Sequence, residues 1–214
     1  MIKAVIFDLD GVLLSTDEYH YRAWKQLADR EDIYFDRAIN ERLRGVSRME
    51  SLEIILERAT KSYTAAEKEE MAGFKNDAYR QLLEHLTPSD VFPGVTEFIA
   101  GLQREGVRPG IGSSSKNTKY ILEKVGLIEI FRGAISDGTN IVNSKPDPEV
   151  FIKAAEMMGI APAECLVVED AEAGVMAGKA AGMRVVGVGP AAGYPLADYQ
   201  ASGVAGIPWI ALAV

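Results

Sequence analysis

Val5-Ile6-Phe7-Asp8-Leu9-Asp10-Gly11-Val12 decides how the rest of the chain is read. Val5, Ile6 and Phe7 form a short apolar run with strand character, and it ends at two aspartates one residue apart. In a strand that spacing puts both side chains on one face. Gly11 follows and permits a sharp change of direction. Carboxylates at the carboxyl end of a buried strand lie where open α/β sheets bind ligands. Buried carboxylates are costly unless paired or metal-bound. The residues alone leave two readings open: a carboxylate nucleophile with an acid/base partner and a divalent cation, or a strand running into an Asp-Gly turn.

The chain after Gly11 divides by pattern. From Asp17 to Leu86 the apolar spacing is helical and no strand is evident. Asp17 is placed to cap a first helix carrying Ala23, Trp24, Leu27 and Ala28. A second helix fits Arg48 to Ala59, with Leu52, Ile55, Leu56 and Ala59 on one face. A third fits about Ala65 to Leu86, with Met71, Phe74, Ala78 and Leu82 as its stripe. Pro88-Ser89-Asp90 and Pro93-Gly94 mark the exit from this block. Strands and helices then alternate. Strands are expected at Val107–Ile111, Gly133–Ile135, Cys165–Val168 and Arg184–Gly187, with helices between them that end at Gly106, Gly126 and Gly159. In the helix from Ala171 to Ala181, Gly174 and Gly178 are one turn apart and allow close packing on a sheet. Val204–Ile207 is expected as an edge strand. The alternation predicts an α/β fold, a Rossmann-like parallel sheet core with an inserted small α-helical cap domain. The expected bounds are 1–14 and 92–214 for the core and 15–91 for the cap.

Bulk properties narrow the function. The chain has 214 residues, enough for one domain with an insertion. A net charge of −8 without a basic patch argues against a nucleic-acid partner. No apolar run approaches the roughly 20 residues of a membrane span, so no membrane partner is expected. Met1-Ile2-Lys3 leads straight into the first strand with no visible leader, and the expected location is cytoplasmic. The one cysteine, Cys165, sits in an apolar run and reads as a small core residue.

Three further stretches carry chemistry. Ser113-Ser114-Ser115-Lys116-Asn117 follows a strand and opens a helix, which makes an anion site of hydroxyls and backbone N–H groups, or an ordinary capped turn. Lys145-Pro146-Asp147-Pro148-Glu149 offers a placed cation suited to a transferring phosphoryl group, or a solvated lysine before a helix with Pro148 near its first turn. Glu169-Asp170 ends a later strand, and oxygen ligands suit Mg²⁺. Acidic ends on two strands, Asp8-Asp10 and Glu169-Asp170, can share such an ion; alternatively Asp170 caps the helix behind it.

Asp8-Leu9-Asp10-Gly11-Val12 resembles the DxDGV signature of the haloacid dehalogenase superfamily of phosphotransferases. Lys145, Pro146, Pro148 and Phe151 resemble its KPxPxxF motif, and Val168 to Gly174 its VEDxxxG motif. The resemblance covers Met1 to about Gly189. It implies that Asp8 is phosphorylated, that Asp10 is the general acid/base, and that the Lys145-Pro146 bond is cis. It also implies Mg²⁺ held by Asp8, the Asp10 carbonyl, Glu169 and Asp170. A dehalogenase would usually lack Asp10; a phosphonatase would need a Schiff-base lysine in its cap, which residue type alone leaves open.

Glu18 to Trp24, Leu43 to Arg48, Lys75-Asn76-Asp77 and Ser113 to Asn117 are similar to the β-phosphoglucomutase family within that superfamily. That similarity implies catalytic roles for Ser113 and Lys145 on the transferring phosphoryl. It implies that Thr16, His20 and Lys75 relay cap closure to Asp10. Arg48 would grip the distal phosphate, with backbone contacts from Gly45 and Val46 and further binding by Ser115, Lys116 and Asn117. Composition alone would make Arg48 a solvated first-turn residue and His20 a packed or exposed histidine; His85 matches no motif. The implied substrate is a small sugar phosphate, the implied cofactors are Mg²⁺ and glucose 1,6-bisphosphate, and a monomer is the expected state. A sugar-phosphate phosphatase and a phosphate-sensing binding module on the same fold are the alternatives.

Overall fold

The computed structural model describes residues 1–43 and 46–213. The chain divides into two compact units, Met1–Ser15 with Thr87–Val214, and Thr16–Leu86.

The first unit is built on a six-stranded sheet: β1 (Ala4–Phe7), β2 (Arg108–Gly112), β3 (Ile135–Ser136), β4 (Cys165–Glu169), β5 (Arg184–Val188) and β6 (Tyr199–Ala201). All pairings are parallel and the order is β3-β2-β1-β4-β5-β6. This is the doubly wound order, whose direction of travel reverses beside β1 and leaves a crevice at the strands' carboxyl ends. Every residue of β1 and β4 is buried, as expected for strands covered on both faces. Phe7 pairs with both Ile111 and Val168, so the next positions, Asp8, Gly112 and Glu169, emerge level at the crevice.

β2 reads Arg-Pro-Gly-Ile-Gly, poor strand material by propensity. Packing explains it. A Cβ at Gly110 would lie 2.9 Å from the Met158 methyl, and one at Gly112 would lie 2.5 Å from the Phe151 ring. The alternate glycines therefore make room for α7 (Glu149–Met158), the helix that follows Lys145. α5 (Val95–Arg104), α6 (Thr118–Lys124) and α8 (Glu172–Ala180) are the other main helices of this unit.

The second unit holds α1 (Asp17–Arg30), α2 (Arg37–Glu41), α3 (Arg48–Leu56) and α4 (Ala65–Leu83). Ser47 with Glu50, and Thr64 with Glu67, form reciprocal capping boxes that start α3 and α4. Trp24, Leu27, Phe35, Leu52, Ile55 and Met71 form its core. No helix among the described residues is long and apolar enough to cross a membrane.

Several expectations need correction. The edge strand is Tyr199–Ala201, and Val204–Gly206 is a 3-10 turn. Val204 and Ile207 are buried, and the turn packs on α5, where Ala205 fits only because Gly94 has no side chain. Their hydrophobicity reflected that burial rather than strand pairing. Thr16, not Asp17, occupies the N-cap of α1, and its hydroxyl is engaged elsewhere. α2 went unread because five residues give too little periodicity. α3 ends at Leu56, short of Ala59. On α4, Phe74 and Leu82 are only half-buried, while Lys75 and Tyr79 join Met71 and Ala78 on the buried face.

Candidate active site

The last backbone pairing of β1 runs through Asp8, whose N–H donates to the Val168 carbonyl at 2.9 Å. The chain then turns back on itself: Gly11, at φ 79°, donates its N–H to Leu14 O at 2.7 Å, and Leu13 donates to Leu9 O at 2.9 Å. Asp8 is buried at the strand end and Asp10 is half-buried on the turn. Lys145, 7 % exposed, donates from Nζ to Asp8 Oδ1 at 2.6 Å and to Glu169 Oε1. It lies over the Phe151 ring, 4.8 Å from its centre. Burial pulls the ammonium's pKa down, but the two carboxylates outweigh it and hold the pKa above the ordinary value. The solvated-lysine reading of Lys145 therefore does not hold. The Lys145-Pro146 peptide is cis.

Carboxylate oxygens of Asp8, Glu169 and Asp170 lie within 4.8 Å of one another. Burial, then the charges of Asp8 and Glu169, push the Asp170 carboxyl up to about 8. Burial also raises the Glu169 carboxyl, to about 7, against the pull of Lys145. Asp170 does not cap α8. The N-cap is Ala171, whose N–H donates to Glu169 Oε2 at 3.1 Å. Two glycines shape the cluster. A Cβ at Gly11 would fall 2.1 Å from Asp170 Oδ2, and one at Gly174 would fall 1.9 Å from Glu169 Oε1. Gly174 was expected to pack on the sheet; Gly178 does so against Val185 and Val167, while Gly174 makes space for the carboxylate.

The serine loop leaves β2 beside β1. Ser113 is buried; its N–H donates to Ser136 O at 3.1 Å and its hydroxyl accepts from Ser115 N at 3.2 Å. Ser115 Oγ accepts from Asn117 N at 3.2 Å, and Asn117 is the buried N-cap of α6, making no side-chain cap bond. Lys116 is exposed. Gly138, which belongs to no motif, lets this loop lie close: a Cβ there would meet Ser114 O at 2.3 Å and Lys116 N at 3.0 Å.

In the helical unit, Lys75 Nζ lies 2.8 Å from His20 Nδ1, and Thr16 Oγ1 is 2.8 Å from Tyr79 Oη. Thr16 and Lys75 are buried and His20 is half-buried. Desolvation, then the charges of Lys75 and Arg48, hold the His20 imidazole well below its ordinary pKa. Arg48, half-buried in the first turn of α3, donates from Nη2 to Asn76 Oδ1 at 2.8 Å. Val46 is half-buried before that helix, and Gly45 lies outside the described residues. Asn76 and Tyr79 join this group, though no motif implies a role for either. Their signal was helical spacing alone: Lys75 and Tyr79 share a face of α4, as Thr16 and His20 do at the start of α1.

Residues 2–182 match the model of the haloacid dehalogenase-like hydrolase family. The chain belongs to that family. It is 50% identical over 190 residues to a β-phosphoglucomutase of Bacillus subtilis, covering 88% of this chain and 84% of the relative. The crystal structure of a β-phosphoglucomutase from Clostridium difficile superposes with a TM-score of 0.90 at 38% identity, covering 96% of this chain and 92% of that one. A fructose-1-phosphate phosphatase of Escherichia coli is 29% identical over 184 residues, covering 86% of this chain and 95% of the relative.

Phosphotransferases of the haloacid dehalogenase family use Mg²⁺, and the donor set here fits such an ion. Asp8, Glu169 and Asp170 offer hard oxygen ligands, and the glycines at 11 and 174 leave the carboxylates close together. Three carboxylates crowd around one lysine, and repulsion from Asp8 and Glu169 adds to burial in raising the Asp170 carboxyl. A divalent cation held by these carboxylates would offset that excess of negative charge.

Proposed function

We propose that this chain is a β-phosphoglucomutase, interconverting β-D-glucose 1-phosphate and β-D-glucose 6-phosphate. The choice of this chemistry within the family is carried by the half-identity to a β-phosphoglucomutase over most of both chains. The geometry supports it: a buried carboxylate, Asp8, sits at the carboxyl end of β1 with a lysine bonded to it and two further acids beside it.

In this reading Asp8 oxygen bonds to phosphorus as the phosphorus–oxygen bond to glucose 1,6-bisphosphate breaks. Asp10 gives its proton to the departing sugar oxygen. The aspartyl phosphate then passes to the free hydroxyl of either monophosphate, and Asp10 takes that hydroxyl's proton. The bisphosphate so formed reorients and returns its other phosphate to Asp8. Lys145 and Ser113 stabilise the charge on the transferring phosphoryl. Mg²⁺, held by Asp8, Glu169, Asp170 and the Asp10 carbonyl, supplies positive charge that lets a carboxylate meet a phosphate dianion. Arg48 holds the distal phosphate in bidentate fashion, with Val46, the Gly45 backbone, Ser115, Lys116 and Asn117 completing the grip. Thr16, His20 and Lys75 control when Asp10 is engaged. The helical unit, Thr16–Leu86, acts as the cap, and the enzyme works as a cytoplasmic monomer on a small sugar phosphate.

The deciding experiment is a coupled assay of β-glucose 1-phosphate with catalytic glucose 1,6-bisphosphate, with phosphate release followed in parallel. Glucose 6-phosphate should form far faster than inorganic phosphate, and Asp8→Asn should abolish both. Phosphate release as fast as isomerisation would replace the mutase with a sugar-phosphate phosphatase. Substantial isomerisation by clean Asp8→Asn protein would remove the aspartyl phosphate.

A further inference from the structure

One residue of the helical unit touches all three members of the Thr16, His20 and Lys75 group. Tyr79 lies one turn beyond Lys75 on α4 and is 1 % exposed. Its hydroxyl is hydrogen-bonded to Thr16 at 2.8 Å. Its ring lies 4.1 Å, centre to centre, from the His20 imidazole, tilted by 31°. The Lys75 ammonium is 4.6 Å from the same ring centre and 4.7 Å from that of Trp24. Lys75 is thus held in an aromatic corner with His20 Nδ1 2.8 Å away.

The chemistry of that contact fixes the imidazole. An ammonium has three protons and no lone pair, so it donates and Nδ1 accepts. A neutral imidazole that accepts at Nδ1 carries its proton on Nε2. Among the described residues, Lys75 from α4 and Arg48 from α3 bear on His20, and both are cations that disfavour a second proton. Burial acts in the same direction. His20 is therefore a neutral donor through Nε2–H rather than a base. Lys75 needs walls to stay in this orientation, because its four-carbon stem has many rotamers and ring faces replace part of the lost hydration.

We propose that Tyr79 is a positioning residue of the phosphotransfer site: its ring keeps Lys75 on His20 Nδ1, so that His20 presents Nε2–H, and its hydroxyl fixes Thr16 at the start of α1. The kinetic half of this inference rests on the mutase reading; the spectroscopic half does not. The chain has only two histidines, His20 and His85, so the ring nitrogens of ¹⁵N-labelled protein are readily assigned.

The parent should show His20 with bare Nδ1 and protonated Nε2 throughout pH 8 to 6.5. Lys75→Met and Tyr79→Leu should each give mixed tautomers. Tyr79→Phe keeps the ring and should keep the tautomer, while losing the Thr16 contact should lower kcat by up to about tenfold with KM little changed, the scale of one hydrogen bond. If Tyr79→Leu does not fold, the near-isosteric Tyr79→Phe and Lys75→Met still decide. A parent His20 protonated on Nδ1, or Lys75→Met with the parent's spectrum, overturns the inference. So does a Tyr79→Phe kcat equal to the parent's. If the spectra are as expected but no isomerisation is seen, the mutase reading fails alone and the kcat comparison is made on phosphate release. If isomerisation is seen with the wrong tautomer, this inference fails alone.

Discussion

Asp8 and Asp10 stand two residues apart and meet different surroundings. Asp8 is buried at the strand end and bonded to Lys145 at 2.6 Å. Asp10 lies half-buried on the turn closed by Gly11, where a carboxyl can exchange protons. If Asp10 serves only proton transfer, its loss should depend on the leaving group. Asp10→Asn should slow transfer to and from sugar hydroxyls by about a hundred- to ten-thousandfold. Labelling of Asp8 by an acyl phosphate, whose leaving group needs no proton, should change far less. Rapid-quench measurements with both donors make the comparison, and equal losses would remove the acid/base role. These two aspartates were legible as candidates because acids ending an apolar run are costly to bury, although the residues alone left an Asp-Gly turn equally open and the family resemblance decided between them. Tyr79 was not, because a tyrosine on a helical stripe is indistinguishable from ordinary core.

At the level of elements, the legible features were those with a period or a terminator. β1, β4, β5, α5 and α7 follow their apolar patterns, and Gly106, Gly126 and Gly159 end helices at positive φ. What remained hidden were side-chain demands across elements. Gly174 looks like a packing glycine, yet it faces Glu169. Helix propensity favours Gly174→Ala by about 1 kcal/mol. The new methyl would nevertheless fall 1.9 Å from a carboxylate that is buried and bonded to Lys145. Gly174→Ala should therefore weaken Mg²⁺ binding, read as a raised metal requirement in the assay; an unchanged Mg²⁺ titration would show that Glu169 moves aside freely.

Glu149 is a second example. Its carboxylate accepts from Lys153 at 2.6 Å and from the N–H groups of Val142 and Asn143 at 3.0 and 2.8 Å, bracing the loop that delivers Lys145. Lys153 first, then the backbone donors, lower its carboxyl from an ordinary 4.5 to about 2. The sign follows: a depressed folded pKa gives stability that is complete above 4.5 and is lost as the pH falls toward 2. Denaturation midpoints of the parent and Glu149→Gln should differ at neutral pH and converge over that window. A constant difference down to pH 2 would exclude the linkage.

At the scale of the whole molecule, a net charge of −8 must accommodate a phosphate-bearing substrate, so cations have to be placed singly. Among the described residues, Lys145 is the one buried at the sheet's carboxyl edge. Arg48 is another, in the first turn of α3, with the neutral Asn76 carbonyl orienting its fork. Desolvation lowers the pKa of its guanidinium, a cost that an arriving phosphate would offset. The two cations should separate by function. In the proposed mechanism Asp8 and Lys145 carry out transfer, so Arg48→Ala should leave acyl-phosphate labelling of Asp8 at the parent rate. KM for glucose 1,6-bisphosphate should rise about ten- to a hundredfold, the scale of a charge-assisted contact. Arg48→Lys should recover only part of it, because an ammonium lacks the planar fork. Parallel loss with the acyl phosphate would mean that Arg48 supports the fold or the transfer step. An unchanged KM would return Arg48 to the solvated first-turn residue that composition alone suggests.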